Sequence, residues 1–438
     1  MKKIRLGVFG ATRGSAAVNF CVGTGKAEVV AICDKQERVL ETQKEYLQGK
    51  LGIDTITYYT EFDAFLQHDM DAVIVANFAT EHAPYAIRCL ERGLHVYSEV
   101  TPFQTLQQAV LLMEAVEKSG KVYAFAENYA YTPMCYEMRR LYREGKIGEF
   151  EYGEGEYVHN CMPIWASLTY GDPNHWRNTM YANFYCTHSI GPIVHITGLR
   201  PVSVVGFESK MTERKLNGGA KGGLFGMEMI TFENGGMMKS LHGDLYKGQT
   251  FFCLYGSRGR MESIREDVAH HAGELCGENR IFVNADYVDS QGNTITENET
   301  YIVQTSEDVQ KSGHWGGDYI ILTQFLNKIA GDDTADIIDV YEAADIFLPG
   351  LFAYRSVLAG GIPMQIPNFR DKAAREAYRN DTACVDPKVA GDMLIPSFSL
   401  GNPEIPEEVY RQQKACWERE VAEKTGYVHA AIVQGRLK

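Results

Sequence analysis

The sequence has no apolar run approaching the roughly 20 residues that a membrane-spanning helix needs. Basic residues are also in short supply, since 43 Lys and Arg face 57 Asp and Glu and the formal net charge is −14. This charge repels phosphate backbones and anionic lipid heads, so we expect neither nucleic acid nor a membrane as a partner. Gly7 and Gly10 break the apolar stretch after Met1 too early for a signal peptide, and we expect a cytoplasmic protein.

Metal-binding and disulfide patterns are missing as well. The ten cysteines include no C-x-x-C pair and no Cys–His cluster, so we predict neither a zinc site nor a disulfide framework. The adjacent His270 and His271 lack a spaced carboxylate partner and are interpreted as solvated loop residues. We therefore predict no bound metal.

Residues 1–128 alternate short apolar runs, rich in Val and Ile, with amphipathic stretches such as Gln36–Gln48 and Thr105–Ser119. Strands that alternate with helices imply right-handed crossovers and a parallel sheet, so we predict a doubly wound α/β domain. The predicted strands are Ile4–Phe9, Glu28–Cys33, Ala72–Ala76, His95–Ser98 and Val122–Ala126.

The pattern changes after Asn128. A helix at Tyr136–Glu144 is followed by long strand-like runs joined by Gly-rich turns, which predicts a second α/β domain with a large, mostly antiparallel sheet over residues 129–370. Those runs are Phe150–His159, Val202–Ser209, Gly226–Phe232, Met237–Leu241 and Thr250–Gly256, with later helices at Gly317–Ile329 and Val340–Leu358. Proline-rich residues 371–438 are predicted to wrap the body and to end in a helix near Pro406–Lys424.

A glycine turn follows the first predicted strand and precedes a helix, at Gly10-Ala11-Thr12-Arg13-Gly14-Ser15. Such a turn lets backbone amides and a helix N-terminus face a pyrophosphate. Thr12 replaces the second glycine of the G-x-G-x-x-G pattern, so the turn alone is a weak signal. Asp34 ends the second strand 24 residues after Gly10, close to the spacing of the acid that binds an adenosine ribose. A carboxylate there favours NAD over NADP.

Polar residues also follow the next three predicted strands, at Asn77–His82, Ser98–Val100 and Glu127–Asn128. Each one alone is simply the start of a loop. Ligands of open parallel sheets bind beyond the carboxyl ends of the strands, so their recurrence favours one shared binding crevice.

The N-terminal half, the helix from Thr105 and the H-W-G-G-D-Y motif at residues 314–319 resemble the glucose–fructose oxidoreductase/inositol dehydrogenase/MocA (Gfo/Idh/MocA) family over about residues 1–370. Members of that family join a Rossmann domain to an open-faced α/β domain and usually oxidise a sugar or polyol hydroxyl. Most carry Glu-Lys-Pro after the fourth strand and a later Asp-x-x-x-His pair. Here E-V-T at residues 99–101 lacks the lysine, and Y-C-T-H at residues 185–188 replaces the acid–histidine pair.

These departures resemble the NAD-dependent glycosidases of glycoside hydrolase family 109, whose type activity is α-N-acetylgalactosaminidase. The motifs that carry this resemblance are Glu99-Val100, Glu127-Asn128, G-E-G-E-Y-V-H at 153–159, Trp176-Arg177 and Y-C-T-H-S-I-G-P at 185–192. With the turn and strand ends, it implies NAD contacts from Gly10, Thr12, Arg13, Asp34, Asn77, Ala79, Thr80, Glu81, His82, Glu99, Val100, Asn128, Trp176 and Tyr185. It implies sugar contacts from Tyr157, Arg177, Tyr185, Thr187, His188 and Tyr246.

An ordinary glycosidase needs two carboxylates flanking the bond, and Glu154 and Glu156, on one strand face, are interpreted as solvated. In the redox route of the resembled family, a hydride leaves carbon 3, a base removes the carbon-2 proton, the aglycone departs, water adds and the hydride returns. We predict that His188 and Tyr185 serve the oxidation. Tyr157 is predicted to take the carbon-2 proton, provided the site lowers its pKa from about 10.

Two other functions stay open at this point. One is a glycoside 3-dehydrogenase that releases a keto-sugar and NADH, and the other is a catalytically inactive NAD-binding sensor. The expected substrate is a small glycoside, and the acidic net charge makes highly anionic sugars the less favoured ones. By analogy with the family, we expect a homo-oligomer, a dimer or a tetramer, that covers the open sheet of the second domain.

Overall fold

The apolar runs of the first 128 residues form a parallel sheet of six strands. The computed structural model describes residues 3–265 and 280–433, so His270 and His271 lie outside its described part. The strands are β1 Ile4–Phe9, β2 Ala27–Cys33, β3 Thr57–Tyr59, β4 Ala72–Val75, β5 His95–Ser98 and β6 Tyr123–Phe125. Their order is β3-β2-β1-β4-β5-β6 with parallel neighbours, which confirms the predicted doubly wound arrangement.

Helices connect these strands and cover the faces of the sheet. They are α1 Ser15–Thr24, α2 Glu37–Lys44, α3 Phe62–Leu66, α4 His82–Glu91 and α5 Leu106–Ser119. A π-helical segment, Glu45–Lys50, follows α2 directly. The Thr105 side chain caps the start of α5 by accepting a hydrogen bond from the Gln108 amide. The helix ends before Gly120, whose backbone adopts the left-handed conformation.

A second sheet of nine strands follows, in the order β14-β13-β12-β11-β7-β10-β9-β8-β15. Strands β7 and β10 are parallel, and the other neighbours are antiparallel, which confirms the predicted mostly antiparallel sheet. The strands are β7 Phe150–Val158, β8 Pro201–Glu208, β9 Phe225–Phe232, β10 Met237–Gly243, β11 Gln249–Gly256, β12 Gly259–Ser263, β13 Arg280–Val288, β14 Thr294–Ile302 and β15 Met364–Gln365.

Helices pack on one face of this sheet. Two glycines allow close contact, because a Cβ at Gly155 would collide with the Ser189 carbonyl and one at Gly206 with the Ala353 carbonyl. The aromatic-rich stretch after β7 contains three helices that were not predicted from the sequence. The helices of this domain are α6 Pro133–Arg143, α7 Trp165–Thr169, α8 Trp176–Thr179, α9 Thr187–Thr197, α10 Glu213–Gly218, α11 Glu307–Lys311, α12 Gly317–Ile329 and α13 Val340–Leu358.

The C-terminal residues run back along the molecule to the first domain. The Gln107 amide donates to the Asp381 carbonyl (2.9 Å), and the Ser15 hydroxyl donates to the Ala431 carbonyl (3.0 Å). The helices of this segment are α14 Lys372–Glu376, α15 Pro387–Ala390, α16 Glu407–Glu423 and α17 Gly426–Val433. Within the described ranges, none of the helices combines the length and the apolar character that crossing a membrane demands.

Candidate active site

A cavity of about 1360 Å³ lies at the carboxyl ends of β1, β4, β5 and β6, with walls from both domains and from α17. Pockets for one small ligand usually have volumes of roughly 300–1,000 Å³, so this cavity has room for a dinucleotide and a sugar together. Among the predicted site residues, all within the described ranges, every one lines the cavity except Thr80, Thr187 and Tyr246.

The glycine turn after β1 lies against β4. Gly10 has a φ of 101°, and a Cβ there would collide with the Ala76 carbonyl. The Gly10 amide donates to the Cys33 carbonyl at the end of β2 (2.8 Å). The turn is therefore held between two strand ends, with the N-terminus of α1 beside the cavity, where it suits an anionic phosphate.

Asp34 connects the end of β2 to this turn. Its Oδ2 accepts from the Ala11 amide (2.7 Å) and its Oδ1 from the Gln36 amide (2.8 Å). Burial raises the pKa of the Asp34 carboxyl, against the opposing effect of these two amides. Each carboxylate oxygen keeps a second lone pair for a ligand hydroxyl, and the acid lies where it would repel a 2′-phosphate.

Two buried amide oxygens at the strand ends test whether a dinucleotide fits. Among the described residues, Oδ1 of Asn77 and Oδ1 of Asn128 have no hydrogen-bond partner, although both residues line the cavity. The amide nitrogens of these two residues donate to Glu81 (3.2 Å) and Asp318 (2.9 Å), which leaves their oxygens as acceptors. An unpaired buried acceptor costs roughly 1–3 kcal/mol, and ribose hydroxyls or a carboxamide would satisfy both. The residues present fit a dinucleotide.

Arg13 crosses the cavity from the turn to the second domain. Its guanidinium lies 2.8 Å from Asp318 and 3.0 Å from Glu99. Asp318 lies at the start of α12 and is also 2.8 Å from His314 Nδ1. Burial raises the pKa of Glu99 against the attraction of Arg13. Burial also acts to raise the pKa of Asp318, but Arg13 and His314 outweigh it and hold that pKa well below its usual range.

His82 lines the cavity but bonds to the backbone. Its Nδ1 lies 2.8 Å from the Thr101 carbonyl and its Nε2 3.3 Å from the Asn77 carbonyl. Burial lowers the pKa of His82 to about 4, so the ring is neutral near pH 7. This arrangement fixes the loop that carries Asn77, Ala79 and Glu81 rather than offering a titrating group to a ligand.

His188 lies near the start of α9 and is bound to a carboxylate that the sequence did not single out for catalysis. Its Nδ1 is 2.8 Å from Oε1 of Glu127, and the two side chains are 8% and 0% exposed. The Glu127 carboxylate also accepts from the Tyr129 amide (3.2 Å). An ionised carboxylate only accepts, so Nδ1 of His188 carries the proton and Nε2 remains a proton acceptor.

Three tyrosine rings surround this histidine. Their centroids lie 4.5 Å (Tyr157), 4.7 Å (Tyr129) and 5.3 Å (Tyr185) from that of His188. Burial raises the pKa of Tyr157 well above its ordinary value, and it also raises that of Tyr185 despite the nearby Arg177. The lowered pKa attached to the prediction for Tyr157 is therefore not found in the free protein.

His159 is a cavity residue that the sequence prediction missed. Its ring is stacked on that of Tyr157 at a centroid distance of 6.0 Å, and its Nδ1 is 2.8 Å from Sγ of Cys161. Burial, followed by the charge of Arg177, lowers the pKa of His159, which keeps it neutral. The sequence could have indicated this residue, because side chains two positions apart along a strand lie on the same face and His159 follows Tyr157 by two positions.

Arg177 lies across two aromatic rings of the cavity, one of which belongs to Tyr185 beside His188. Its guanidinium carbon is 4.5 Å from the Trp176 ring centroid and 5.4 Å from that of Tyr185. The Trp176 and Tyr185 rings are themselves stacked at 6.2 Å. These contacts fix three of the predicted ligand-contacting residues in one layer.

Three predicted contacts lie apart from the cavity lining. Thr80 is in the short 3₁₀ turn before α4, and Thr187 is fully buried at the start of α9. Tyr246 is 70% exposed in the loop between β10 and β11. Their ligand contacts stay predictions.

The interpretation of Glu154 and Glu156 as solvated carboxylates is wrong for Glu156, which is 5% exposed and lies 2.6 Å from Arg265. Glu154 pairs with Lys239 (2.7 Å) and Arg265 on the same face of the sheet. That face is opposite the one carrying Tyr157, because side chains alternate along β7. Neither carboxylate lines the cavity formed by the described residues.

Comparison with known proteins agrees with this architecture. Residues 4–127 match the model of an oxidoreductase family described by its NAD-binding Rossmann fold. Glycosyl hydrolase family 109 protein 1 of Bacteroides fragilis is 28% identical over 249 residues, which cover 54% of this chain and 53% of that protein. Glycosyl hydrolase family 109 protein 3 of Phocaeicola vulgatus is 26% identical over 388 residues, 79% of this chain and 69% of the relative. The first match thus spans about half the length of the curated relative.

Solved structures share the fold. Myo-inositol 2-dehydrogenase from Lactobacillus plantarum superposes with a TM-score of 0.63 at 16% identity, covering 83% of this chain and 100% of that one. Scyllo-inositol dehydrogenase from Lactobacillus casei, solved with NAD(H) and scyllo-inositol, gives 0.63 at 14% identity, covering 83% and 99%. At these identities the likeness concerns the fold alone. Residues 4–127 thus match the NAD-binding Rossmann domain of this oxidoreductase family, which confirms the resemblance to Gfo/Idh/MocA proteins and the expectation of NAD as the cofactor.

Proposed function

We propose that the protein is an NAD-dependent glycosidase that cleaves a small glycoside through transient oxidation at carbon 3. One observation carries the proposal: His188, held by Glu127, lies in the same cavity as the cofactor-binding strand ends, with Tyr157 and Tyr185 beside its ring. The curated relatives named glycosyl hydrolase family 109 support the glycosidase part.

Gly10, Asp34, Asn77 and Asn128 would hold NAD, which, when bound, accepts a hydride from carbon 3 and returns it at the end of the cycle. The protein's own residues hold the sugar and move protons. Nε2 of His188 takes the proton of the carbon-3 hydroxyl, and the buried Glu127 carboxylate stabilises the resulting imidazolium.

The carbon-2 proton, acidified by the carbon-3 ketone, needs a second base because His188 already holds a proton. We assign it to Tyr157 acting together with His159. The phenol of Tyr157 is protonated, so it can take a proton from carbon only if its own proton moves away at the same time. We propose that the acceptor is the neutral imidazole of His159, whose ring centroid lies 6.0 Å from that of Tyr157, with one water between the two groups to carry the proton. The bond from carbon 1 to the aglycone oxygen then breaks, and that oxygen takes the proton held by His159. Water adds its hydroxyl to carbon 1 and its proton to carbon 2. His188 returns its proton to the carbon-3 oxygen when the ketone is reduced.

The carboxylates near His188 favour this route over ordinary glycoside hydrolysis. Asp244 is paired with Arg214, and Glu99 and Asp318 share Arg13. Classical hydrolysis needs one free acid and one free base or nucleophile at a defined separation. Among the described residues of this part of the cavity, no such uncommitted pair is present.

A sugar 3-dehydrogenase is the second candidate. The His188–Glu127 pair is sufficient for oxidation alone, and the named structural neighbours are inositol dehydrogenases. That enzyme would release a keto-sugar and NADH and would consume one NAD for each turnover.

Incubation with a panel of aryl glycosides in heavy water separates these functions. The glycosidase is expected to release the aglycone with NAD at a small fraction of the substrate concentration and to place deuterium at carbon 2. Stoichiometric NADH without bond cleavage would establish the dehydrogenase instead. NAD binding with neither product across the panel would contradict both and favour a sensor. His188→Gln is the matched inactive variant, since it keeps a polar side chain beside Glu127.

A further inference from the structure

We propose that the C-terminal helix α17 forms one wall of the cofactor site and makes NAD a retained cofactor rather than one exchanged at each turnover. The inference rests on the NAD-binding part of the proposed function and is independent of its sugar chemistry. It starts from the cavity lining, which includes Tyr427, Ala430 and Ala431 together with Thr12 and Ser15 of the glycine turn.

The sequence of α17 explains why one of its sides faces the cavity. Tyr427, Ala430 and Ala431 have the i, i+3 and i+4 spacing that places residues on one helix face. Val428 and Ile432, also four residues apart, are buried against the body of the protein. The helix therefore packs through one aliphatic edge and presents small residues and one tyrosine to the cofactor space.

A direct bond connects α17 to the glycine turn. The hydroxyl of Ser15, the first residue of α1, is 3.0 Å from the Ala431 carbonyl and 2.7 Å from the Thr12 carbonyl. Carbonyls in the last turn of a helix accept no hydrogen bond from an amide of that helix, so the Ser15 hydroxyl supplies the missing donor. The turn that faces the pyrophosphate is thus bonded to the helix that covers it.

The start of α17 is anchored to the second domain. The Tyr427 amide donates to the Ser167 hydroxyl (3.1 Å), which also bonds Glu420. Gly426 has a φ of 79°, and a Cβ there would lie 2.5 Å from Glu420 Oε2 and 2.9 Å from Ser167 Oγ. Glycine is required at this bend for both the backbone conformation and the space.

A second connection reaches the turn from α16. The Trp417 ring lies 5.3 Å from that of Tyr170, whose hydroxyl is 3.2 Å from the Thr12 hydroxyl. The segment Glu407–Val433 therefore contacts both domains beside the turn. A dinucleotide lying on the turn would contact α17, so the free energy of those contacts slows its dissociation, tenfold for each 1.4 kcal/mol.

Retention also suits the proposed cycle. A glycosidase of this type regenerates NAD within each turnover, whereas a dehydrogenase must release NADH every time. A covered cofactor is therefore an advantage for the first enzyme and a rate limit for the second.

The test uses the full-length protein loaded with NAD, in the absence of any sugar. The double variant Val428→Ala/Ile432→Ala loosens α17 without touching the cavity face. We expect its NAD to exchange with labelled NAD about tenfold faster than in the parent protein. The matched control is Ile281→Ala/Val283→Ala, which removes the same buried side-chain volume from β13, and its exchange rate should equal that of the parent.

Amide hydrogen exchange measures the stability of α17 directly. If NAD and α17 stabilise each other, adding NAD must slow amide exchange in residues 426–433. Should the double variant lack a cooperative unfolding transition, Tyr427→Ala replaces it. The proposal would be overturned if a folded variant exchanged its NAD at the parent's rate. It would also be overturned if adding NAD did not slow amide hydrogen exchange in residues 426–433. A failed glycosidase assay leaves both measurements standing.

Discussion

The Nδ1 atom of His188, which lines the cavity, lies 2.8 Å from Oε1 of the fully buried Glu127. A second buried histidine, His195, makes the same kind of contact with Glu342 at 2.5 Å. His195 does not line the cavity of the described residues and packs on the Tyr131 ring at 5.0 Å, which fits a structural role. These two His–Glu pairs have similar geometry, and the histidine of the first one lines the candidate active site.

Replacing the carboxylate of the first pair should slow hydride transfer. Glu127→Gln keeps the shape but removes the charge that stabilises the imidazolium of His188, and the amide no longer fixes Nδ1 as the donor. We expect the rate of cofactor reduction in a single turnover to fall by about 10²–10⁴. Glu342→Gln is the control, and it should change the free energy of unfolding while leaving that rate unaltered. Equal effects of the two variants on hydride transfer would contradict the role given to Glu127.

If Tyr157 passes the carbon-2 proton to His159, replacing each residue should reduce deuterium incorporation at carbon 2 by a different amount. Tyr157→Phe should abolish deuterium incorporation at carbon 2 while NADH still forms transiently, because the hydroxyl that contacts the carbon-bound proton is gone. His159→Gln should slow incorporation by about 10²-fold, the contribution of one proton acceptor, without abolishing it. Both rates come from one mass-spectrometric time course. Normal incorporation in Tyr157→Phe would remove Tyr157 from the mechanism.

Cofactor choice should depend on the charge of Asp34. Asp34→Asn removes the repulsion of a 2′-phosphate and retains an oxygen for one of the two backbone amides. We expect the ratio of NADP to NAD affinity to rise by about tenfold or more, measured as dissociation constants by calorimetry. Glu37→Gln, a neighbouring charge change in the first turn of α2, should leave the ratio close to that of the parent. A ratio that rises equally in both variants would assign the effect to net charge.

Burial of a neutral His82 should make the folded protein less stable in mild acid. Its folded-state pKa of about 4 lies below the ordinary value of 6.5, so between those values the unfolded chain binds more protons and the free energy of unfolding falls as pH falls. From about pH 7 to about pH 5 the parent should lose about 2 kcal/mol more than His82→Gln, and above that range the difference should stay constant. Urea unfolding at several pH values measures it, and parallel curves would contradict the buried neutral state.

The open face of the second sheet predicts self-association. Phe207, Met227 and Leu241 lie side by side on adjacent strands β8, β9 and β10, on the face opposite the helices, and Phe207 is 45% exposed. We expect a homo-oligomer by light scattering and a shift toward single chains in Phe207→Glu. Leu400→Glu, at a site 87% exposed in the C-terminal segment, should not alter the mass. A parent protein with the mass of one chain would refute this prediction.

The strands predicted from the sequence are those whose buried residues form a simple apolar pattern along the chain. All four residues of β4 are buried, and an unbroken apolar run marks them. Strand β14, by contrast, is mostly exposed over Thr294–Ile302, with charged residues that carry no strand signal. Strand β3 has only three residues and no buried one. Edge strands of this kind are specified by their neighbours and not by their own apolar content.

The residues of the candidate site also fall into two groups, those that the local sequence predicts and those that depend on distant partners. Gly10, Asp34 and Asn128 follow strands at fixed spacings, and local sequence was enough to place them. The roles of Glu127 and Asp318 depend on partners 61 and 190 residues away, His188 and Asn128 respectively. Ser15 and Ala431 are separated by 416 residues, so nothing in the proline-rich C-terminal sequence indicated that it reaches the cofactor turn.

The ion pairs of Arg13 have a consequence for how ligands enter. They join the first turn of the Rossmann domain to Asp318 at the start of α12, and Asp318 also binds Asn128 and His314. A hinge motion between the domains would separate buried opposite charges, which is costly. The two halves of the cleft therefore keep one relative orientation, and recognition is a matter of fitting a preformed shape. A rigid inhibitor built to that shape would bind without any reorganisation of the protein.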